Sequence, residues 1–165
     1  MDQSSSFEAQ LAALLPRLRR FAHALSRNSV DADDLTQATI ERALRSRDQW
    51  QTGTRLDSWA YRIMRNLWID TARARSRKAA REAPEEEGLS VGDDPRDAMD
   101  AAVDLHRIMA AMDRLPDEQR EVVALILVEG FGYREASEML GLPIGTVSSR
   151  LVRGRTALLA LVGEQ

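Results

Sequence analysis

The sequence predicts an all-α protein: two small helical domains, residues 1–78 and 104–165, joined by a flexible acidic linker over 79–103. Three observations predict it. Apolar residues recur at helical spacing in separate stretches, and β-branched residues nowhere alternate with polar ones as a half-buried strand requires. Aromatic residues make up only 5% of the chain and charged residues 30%, the balance of a surface-rich helical protein. Between the periodic stretches lies a segment with Pro84, Gly88, Gly92 and Pro95, dense acid and no apolar face. At 165 residues, two such domains are each just large enough to bury a core.

The elements follow in order. A first helical stretch opens with a capping box, Ser5-x-x-Glu8, ahead of Leu11, Leu14, Leu15 and Leu18, and Pro16 within it signals a kink or a late start. A second helix begins near Asp31 and runs to about Arg47. Leu35, Thr36, Ile40, Ala43 and Leu44 share one broad arc of it, with Asp34, Gln37, Ala38, Glu41, Arg45 and Asp48 opposite. After the turn Gln51-Thr-Gly-Thr54, a third helix starts near Asp57 or Ser58 and continues past Asp70 into a basic tail.

Helical pattern resumes at about Val103 through Leu105, Ile108, Met109, Met112 and Leu115. Pro116, followed by Asp117 and Glu118, marks the next helix start, because proline tolerates the first turn and acids suit the positive end of the dipole. The run Val122–Val128 could be a buried strand by composition, but its Pro-Asp-Glu start and helical neighbours favour a buried helix. Arg134–Leu140 forms a short helix, with Gly141 placed as its C′ residue and Pro143 preventing continuation. Gly145-Thr146 then offers an N-cap for a last helix reaching Val162. The plan is that of a helix-turn-helix.

Composition excludes several function classes. With no cysteine and only His23 and His106, neither a thiolate nucleophile nor a zinc–thiolate or histidine-rich metal site is available. No Walker loop, dinucleotide-binding glycine pattern, nucleophile elbow or metal-binding helix is present. The carboxylate clusters Asp33-Asp34 and Glu85–Glu87 fall at a helix start and in the linker, where solvated charge is the ordinary reading. No enzyme, cofactor, metal or small-molecule substrate is therefore expected. Met1 to Ser6 lacks the basic and apolar parts of a signal peptide, and Val122–Val128 is too short to cross a bilayer, so a cytoplasmic protein without membrane insertion is expected.

Charge is unevenly placed. The whole chain carries −3, yet residues 59–81 hold seven basic side chains (Arg62, Arg65, Arg73, Arg75, Arg77, Lys78 and Arg81) against Asp70 alone. Residues 82–104 hold nine acids against Arg96. This asymmetry separates a candidate nucleic-acid surface from a solvated tether, against the plainer reading that both blocks are soluble surface. On the last helix Val147, Leu151, Gly154, Leu158, Leu161 and Val162 fall on an inward arc. Ser149, Val152, Arg153 and Thr156 face away, with Ser148 beside them and Arg150 and Arg155 on the flanks. Arginine bonds guanine edges or phosphate, short hydroxyls fit either, and an exposed valine suits a thymine methyl, as a major-groove helix requires. A structural helix with incidental arginines would look similar.

Three motifs, Leu115-Pro-Asp-Glu-Gln-Arg-Glu-Val122, Gly130-Phe-Gly-Tyr-Arg-Glu-Ala136 and Gly145-Thr-Val-Ser-Ser-Arg-Leu-Val-Arg-Gly-Arg155, closely resemble region 4 of the extracytoplasmic-function (ECF) sigma factors. Asp33-Asp-Leu-Thr-Gln37 and Trp59-Ala-Tyr-Arg-Ile-Met-Arg-Asn-Leu-Trp-Ile-Asp70 resemble regions 2.2 and 2.3–2.4 of the same family. The resemblance spans roughly residues 7–78 and 104–162, in family order. It implies a subunit that binds core RNA polymerase on the clamp helices of its largest subunit and on its flap, and directs it to promoter DNA.

By that resemblance Asp34, Gln37 and Glu41 contact the polymerase. Tyr61, Arg62, Arg65, Asn66, Trp68, Asp70 and Arg73 hold the melted −10 strand. Ser148, Ser149, Arg150, Val152, Arg153, Arg155 and Thr156 read the −35 duplex. Asn66 and the Gln51–Asp57 loop are the expected receivers of a flipped-out base. Aromatic and guanidinium planes beside a basic strip suit single strands; large aromatics are also usually buried, so a core role for Tyr61 and Trp68 stays open. An anti-sigma partner is implied, and the acidic linker resembles a connector that occupies polymerase channels built for polyanions.

The sequence departs from the family at Ser148, where a base is common, at Ala38, often acidic, at Gly132, often a hydroxyl cap, and at Ala136-Ser137, commonly Ile-Ala. Two rival readings are a sigma-like decoy for an anti-sigma factor and an ordinary helix-turn-helix regulator. The retained arginines argue against the first, and the Trp59–Asp70 block against the second.

Overall fold

Pro16 divides the N-terminal apolar stretch into two helices, α1 (Gln3–Ala13) and α2 (Leu15–Ser26), and lies in the first turn of α2, where a missing N–H leaves no bond unmade. Because α1 already begins at Gln3, Ser5 lies inside the helix, and the expected capping box does not start it. The computed structural model describes residues 3–81 and 100–163, so most of the expected acidic linker lies outside the described residues. The chain divides into two units, Met1–Val91 and Gly92–Gln165.

In the first unit α2 closes on Arg27, a non-glycine residue at φ +65° whose N–H bonds to the His23 carbonyl at 2.8 Å. Asn28 then caps α3 (Ser29–Arg45), its side-chain oxygen accepting the Asp31 N–H at 2.8 Å. That cap explains why α3 starts ahead of Asp31. Ala32, Leu35, Thr36, Thr39 and Ala43 form its buried face. Thr36 and Thr39 are tolerated there because each hydroxyl donates back to the carbonyl four residues earlier, Ala32 and Leu35 respectively. Leu44, expected on that face, is exposed, and Ala38, expected outside, is half-buried.

A single turn of 3-10 helix at Arg47–Gln49 and an exposed turn lead into α4 (Leu56–Arg81). It packs on α2 and α3 through Leu56, Ala60, Tyr61 and Met64. Trp59, Ile63 and Leu67 are half-buried on the flank of that face. Trp59 and Ile63 pack there against a second cluster contributed by Phe7 and Leu11 of α1, in which the Phe7 ring lies 5.5 Å from Trp50 and 6.1 Å from Trp59.

In the second unit α5 (Asp100–Asp113), α6 (Asp117–Val123) and α7 (Tyr133–Leu140) all pack against α8 (Ile144–Gly163). Leu105 and Ile108, part of the helical pattern of α5, face solvent, and its contribution to the core comes from Ala111 and Met112. Arg120 of α6 is 2% exposed. Its guanidinium donates to the Leu115 carbonyl at 2.8 Å and to Asp117 at 2.7 Å, so the buried charge is paired and holds the turn at Pro116. The Val122–Val128 run is helical, as expected, but widens at Ala124–Val128 into a π-turn closed by the Glu129 N–H on the Ala124 carbonyl at 2.9 Å. Leu127 and Val128 face solvent, so the run is buried only through its first half.

The α7–α8 corner turns on Gly141 at φ +64°, a left-handed position that suits glycine, with its N–H on the Ser137 carbonyl. Ala136 is fully buried and the Ser137 hydroxyl takes up the Leu142 carbonyl, which gives the Ala-Ser departure a packing and capping role. The last helix starts at Ile144, with the Thr146 and Val147 N–H groups both on the Pro143 carbonyl, so Thr146 lies in the first turn and is not its cap. Among the described residues no helix is long and apolar enough to cross a membrane.

Gly154 sets how closely α8 meets α6. A Cβ there would lie 2.8 Å from a Val123 methyl and 3.2 Å from the Gln119 Cβ. Gly154→Val is therefore expected to destabilise the second unit by about 2–3 kcal/mol, the scale of core overpacking. Hydrogen exchange across α6 and α8 checks this, with protection lost there and kept in α2 and α3.

Candidate nucleic-acid interface

With Val147, Leu151 and Gly154 of α8 buried, the opposite side is left to solvent. Ser149, Val152, Arg153, Arg155 and Thr156 are exposed, and Ser148 and Arg150 are half-buried at the edges. Val152, at 61% exposure, makes an unusual outward apolar group between arginines. Arg153 is steadied by its own helix, donating to the Ser149 hydroxyl at 2.8 Å and carbonyl at 3.3 Å. Arg150 reaches Glu118 of α6 at 3.7 Å, so part of its charge is spent within the fold.

On α4 the seven residues expected to meet a single strand separate into three groups. Arg62, Asn66, Asp70 and Arg73 are exposed, with Asn66, Asp70 and Arg73 on one stripe. Arg65 and Trp68 are half-buried. Tyr61 is a correction: it is 1% exposed, its ring 4.8 Å from Phe21 and under the Arg17 guanidinium, so it cannot stack on a base. The helix turns Tyr61 onto the same buried face as Ala60 and Met64.

A cleft of about 140 Å³ opens beside Asn66 and Asp70. Trp59, Ile63 and Leu67 give it an apolar wall, and Arg42, Ser46 and Gln49 a polar edge. Those last three were missed from sequence; their spacing on the end of α3 and the following turn is the signal that could have found them. The Gln51–Asp57 loop stands nearby as an exposed turn anchored at its end by Asp57. That carboxylate accepts from Arg55 at 2.8 Å and 3.1 Å and from Arg17 of α2 at 3.3 Å. Burial pushes the Asp57 carboxyl up, but Arg55, the Ser58 N–H and Arg17 more than offset this and hold it below the usual range.

Asp34, Gln37 and Glu41 of α3, the residues expected to meet the polymerase, are all exposed. Gln37 and Glu41 border a groove of about 560 Å³ between α2 and α3, lined also by Leu15, Thr36 and Ile40 and by the charged Arg19 and Asp33.

Residues 11–78 match Sigma-70 region 2, and residues 105–158 match Sigma-70, region 4. The ECF RNA polymerase sigma factor EcfG of Rhodopseudomonas palustris is 36% identical over 98% of this chain and 88% of its own length. The chain belongs to the ECF sigma factors. SigE of Mycolicibacterium smegmatis, another ECF RNA polymerase sigma factor, is 39% identical over 86% of this chain, which spans 56% of that longer relative. Among solved structures, the sigma factor RpoE from Bartonella quintana, in complex with the anti-sigma factor NepR, superimposes with a TM-score of 0.82 at 31% identity. That match covers 97% of this chain and 98% of RpoE.

In this ECF sigma factor the region 2 match ends inside α4, which continues to Arg81, beyond the domain end expected at 78. One contact on that helix was not anticipated. Arg75 donates twice to Asp31 at the start of α3, both at 2.8 Å, and lies 5.7 Å over the Trp68 ring. The Arg75 bonds, resisted by partial burial and aided by the Asn28 amide, hold the Asp31 carboxyl at about 2, below its ordinary 3.8. A depressed folded-state pKa gives stability that is present above pH 3.8 and lost as pH falls through about 2. After allowance for solvent at the Arg75 end, the pair is worth about 1 kcal/mol. Asp31→Asn should lower stability by that amount at neutral pH, and chemical unfolding of both proteins near pH 2 should find the gap narrowed; a gap that keeps its neutral-pH size there would contradict the assignment.

Proposed function

We propose that this sigma factor binds core RNA polymerase through the α3 stripe of Asp34, Gln37 and Glu41, captures the melted −10 strand on α4, and reads the −35 duplex with α8. The observation that carries the reading is that both units, independently, turn arginines outward on one helix face: Arg62 and Arg73 on α4, beside Asn66 and Asp70, and Arg153 and Arg155 on α8. In this reading the chain supplies specificity and the polymerase supplies the chemistry, in the cytoplasm where it works.

On α8 the stripe of Ser149, Val152, Arg153 and Thr156 would enter the major groove, with arginine and hydroxyls on base edges or phosphates and valine against a methyl. On α4 the exposed stripe and the cleft beside Asn66 would receive an unpaired base, its flat face against Trp59 and its polar edge toward Asn66, Arg42 or Gln49. Capture of an extruded base would favour the opened duplex without nucleotide hydrolysis. A net charge of −3 keeps affinity for free DNA low, so promoter binding depends on the polymerase.

Control by an anti-sigma factor fits the same geometry. The Bartonella quintana relative is known in complex with one, and the α2–α3 groove, bordered by the polymerase stripe, is a surface that such a partner would have to occlude. Run-off transcription with purified core enzyme on a promoter library tests the reading. Activity is expected, with Arg153→Ala weakening −35 use and Asn66→Ala weakening −10 use by about tenfold each, the scale of one good base contact. Unchanged promoter choice in both variants would reject these assignments.

A further inference from the structure

The exposed end of α4 lacks a core of its own. After Met64 no residue of the helix is fully buried, and from Ala72 to Arg81 every residue is exposed. A helix end without burial frays, because propensity alone barely holds a few turns in water. Yet Arg73 lies in this stretch, and Asp70 just before it, so a strip able to meet a strand needs its azimuth fixed by something else.

Arg75 supplies that constraint. Its guanidinium bridges 44 residues of sequence to both oxygens of Asp31, which is itself held by the Asn28 amide at 2.7 Å. It also covers Trp68, seven residues earlier on the same side of α4. The strip Asn66–Asp70–Arg73 follows the same seven-residue spacing two positions away, which is about 200° around a helix at 3.6 residues per turn. The tether therefore grips the back of the helix while the strip faces out. A bidentate arginine–carboxylate pair is the contact suited to this, because two parallel bonds fix direction as well as distance.

We propose that Asp31 and Arg75 are positioning residues for −10 strand capture, holding the exposed half of α4 against the start of α3 so that Asn66, Asp70 and Arg73 form one surface. The proposal rests on the single-strand role given to that strip above. Arg75 then differs in kind from Arg73: its charge is matched inside the fold, whereas Arg73 is set to meet phosphate.

The two roles predict opposite signs. If Asp31 merely masked a phosphate-binding arginine, Asp31→Asn would release Arg75 and tighten DNA binding. If the pair positions the strip, Asp31→Asn weakens it. The test uses holoenzyme assembled from the full chain and core polymerase, bound to forked promoter DNA with a single-stranded non-template −10 element, over a salt series.

Asp31→Asn and Arg75→Gln are each expected to weaken fork binding by about fivefold, the upper scale of one exposed ion pair. The double variant should be no worse than either single one, as coupled partners require. Salt dependence should stay unchanged in both, whereas Arg73→Gln should lower its slope by about 0.7, the share of one single-strand phosphate contact. Arg75→Lys, which keeps the charge and loses the fork, should fall between wild type and Arg75→Gln, and hydrogen exchange over residues 71–81 should quicken in the weakened variants.

Tighter binding by Asp31→Asn, a reduced slope in Arg75→Gln, additive effects, or unchanged fork affinity would each overturn the proposal. Asn66→Ala separates the two levels. If it too leaves fork binding intact, the single-strand role of α4 fails and this inference falls with it; if it weakens binding while the Asp31 and Arg75 variants do not, only the positioning role fails.

Discussion

The seating of Tyr61 against Phe21, with ring centroids 4.8 Å apart, decides what the first unit can offer to a partner. A helix has one side to bury. Once Ala60, Tyr61 and Met64 are committed to α2 and α3, the helical period leaves Arg62, Asn66, Asp70 and Arg73 outside. The face that could hold nucleic acid is thus the remainder of the face that holds the fold. The second unit obeys the same rule with a different device, since Gly154 lets α8 come close to α6 and turns Ser149, Val152, Arg153 and Thr156 outward.

Charge is sorted by the same packing. Asp31 on Arg75 and Asp57 between Arg17 and Arg55 are used inside the first unit, where each ties a segment that has little apolar surface to bury. Asp34 and Glu41 stay on the exposed stripe of α3. The arginines divide likewise, with Arg75 and the buried Arg120 serving the fold and Arg62, Arg73, Arg153 and Arg155 left to solvent. Net charge reports none of this sorting, which is why a chain of −3 can still turn arginines outward on two helix faces.

Element type and order were legible because they rest on local chemistry: Pro16, Pro116, Gly141 and Pro143 mark helix boundaries by what they forbid. The outward faces of α3 and α8 were legible because their apolar arcs are regular over three turns. The inward face of α4 was not, because Trp59, Tyr61, Ile63, Leu67 and Trp68 surround that helix and periodicity alone cannot rank them; the partner ring Phe21 decides, and it lies 40 residues away. The Asp31–Arg75 pair was hidden for the same reason, being a tertiary fact written in two separate helices. The Asn28 cap, by contrast, was within reach of sequence, since asparagine three residues ahead of Asp31 is ordinary N-cap chemistry.

Tyr61 belongs to the core, and the strip proposed to meet DNA lies a turn beyond it. Replacing Tyr61 by leucine keeps apolar bulk but removes the ring, so unfolding stability and fork-DNA affinity of the same holoenzyme separate the two roles. Stability should fall by about 1–3 kcal/mol, as for a poorly shaped core substitution, while affinity of the folded protein stays within about twofold. Undiminished stability together with a tenfold loss of fork affinity would place Tyr61 on the DNA and contradict the account.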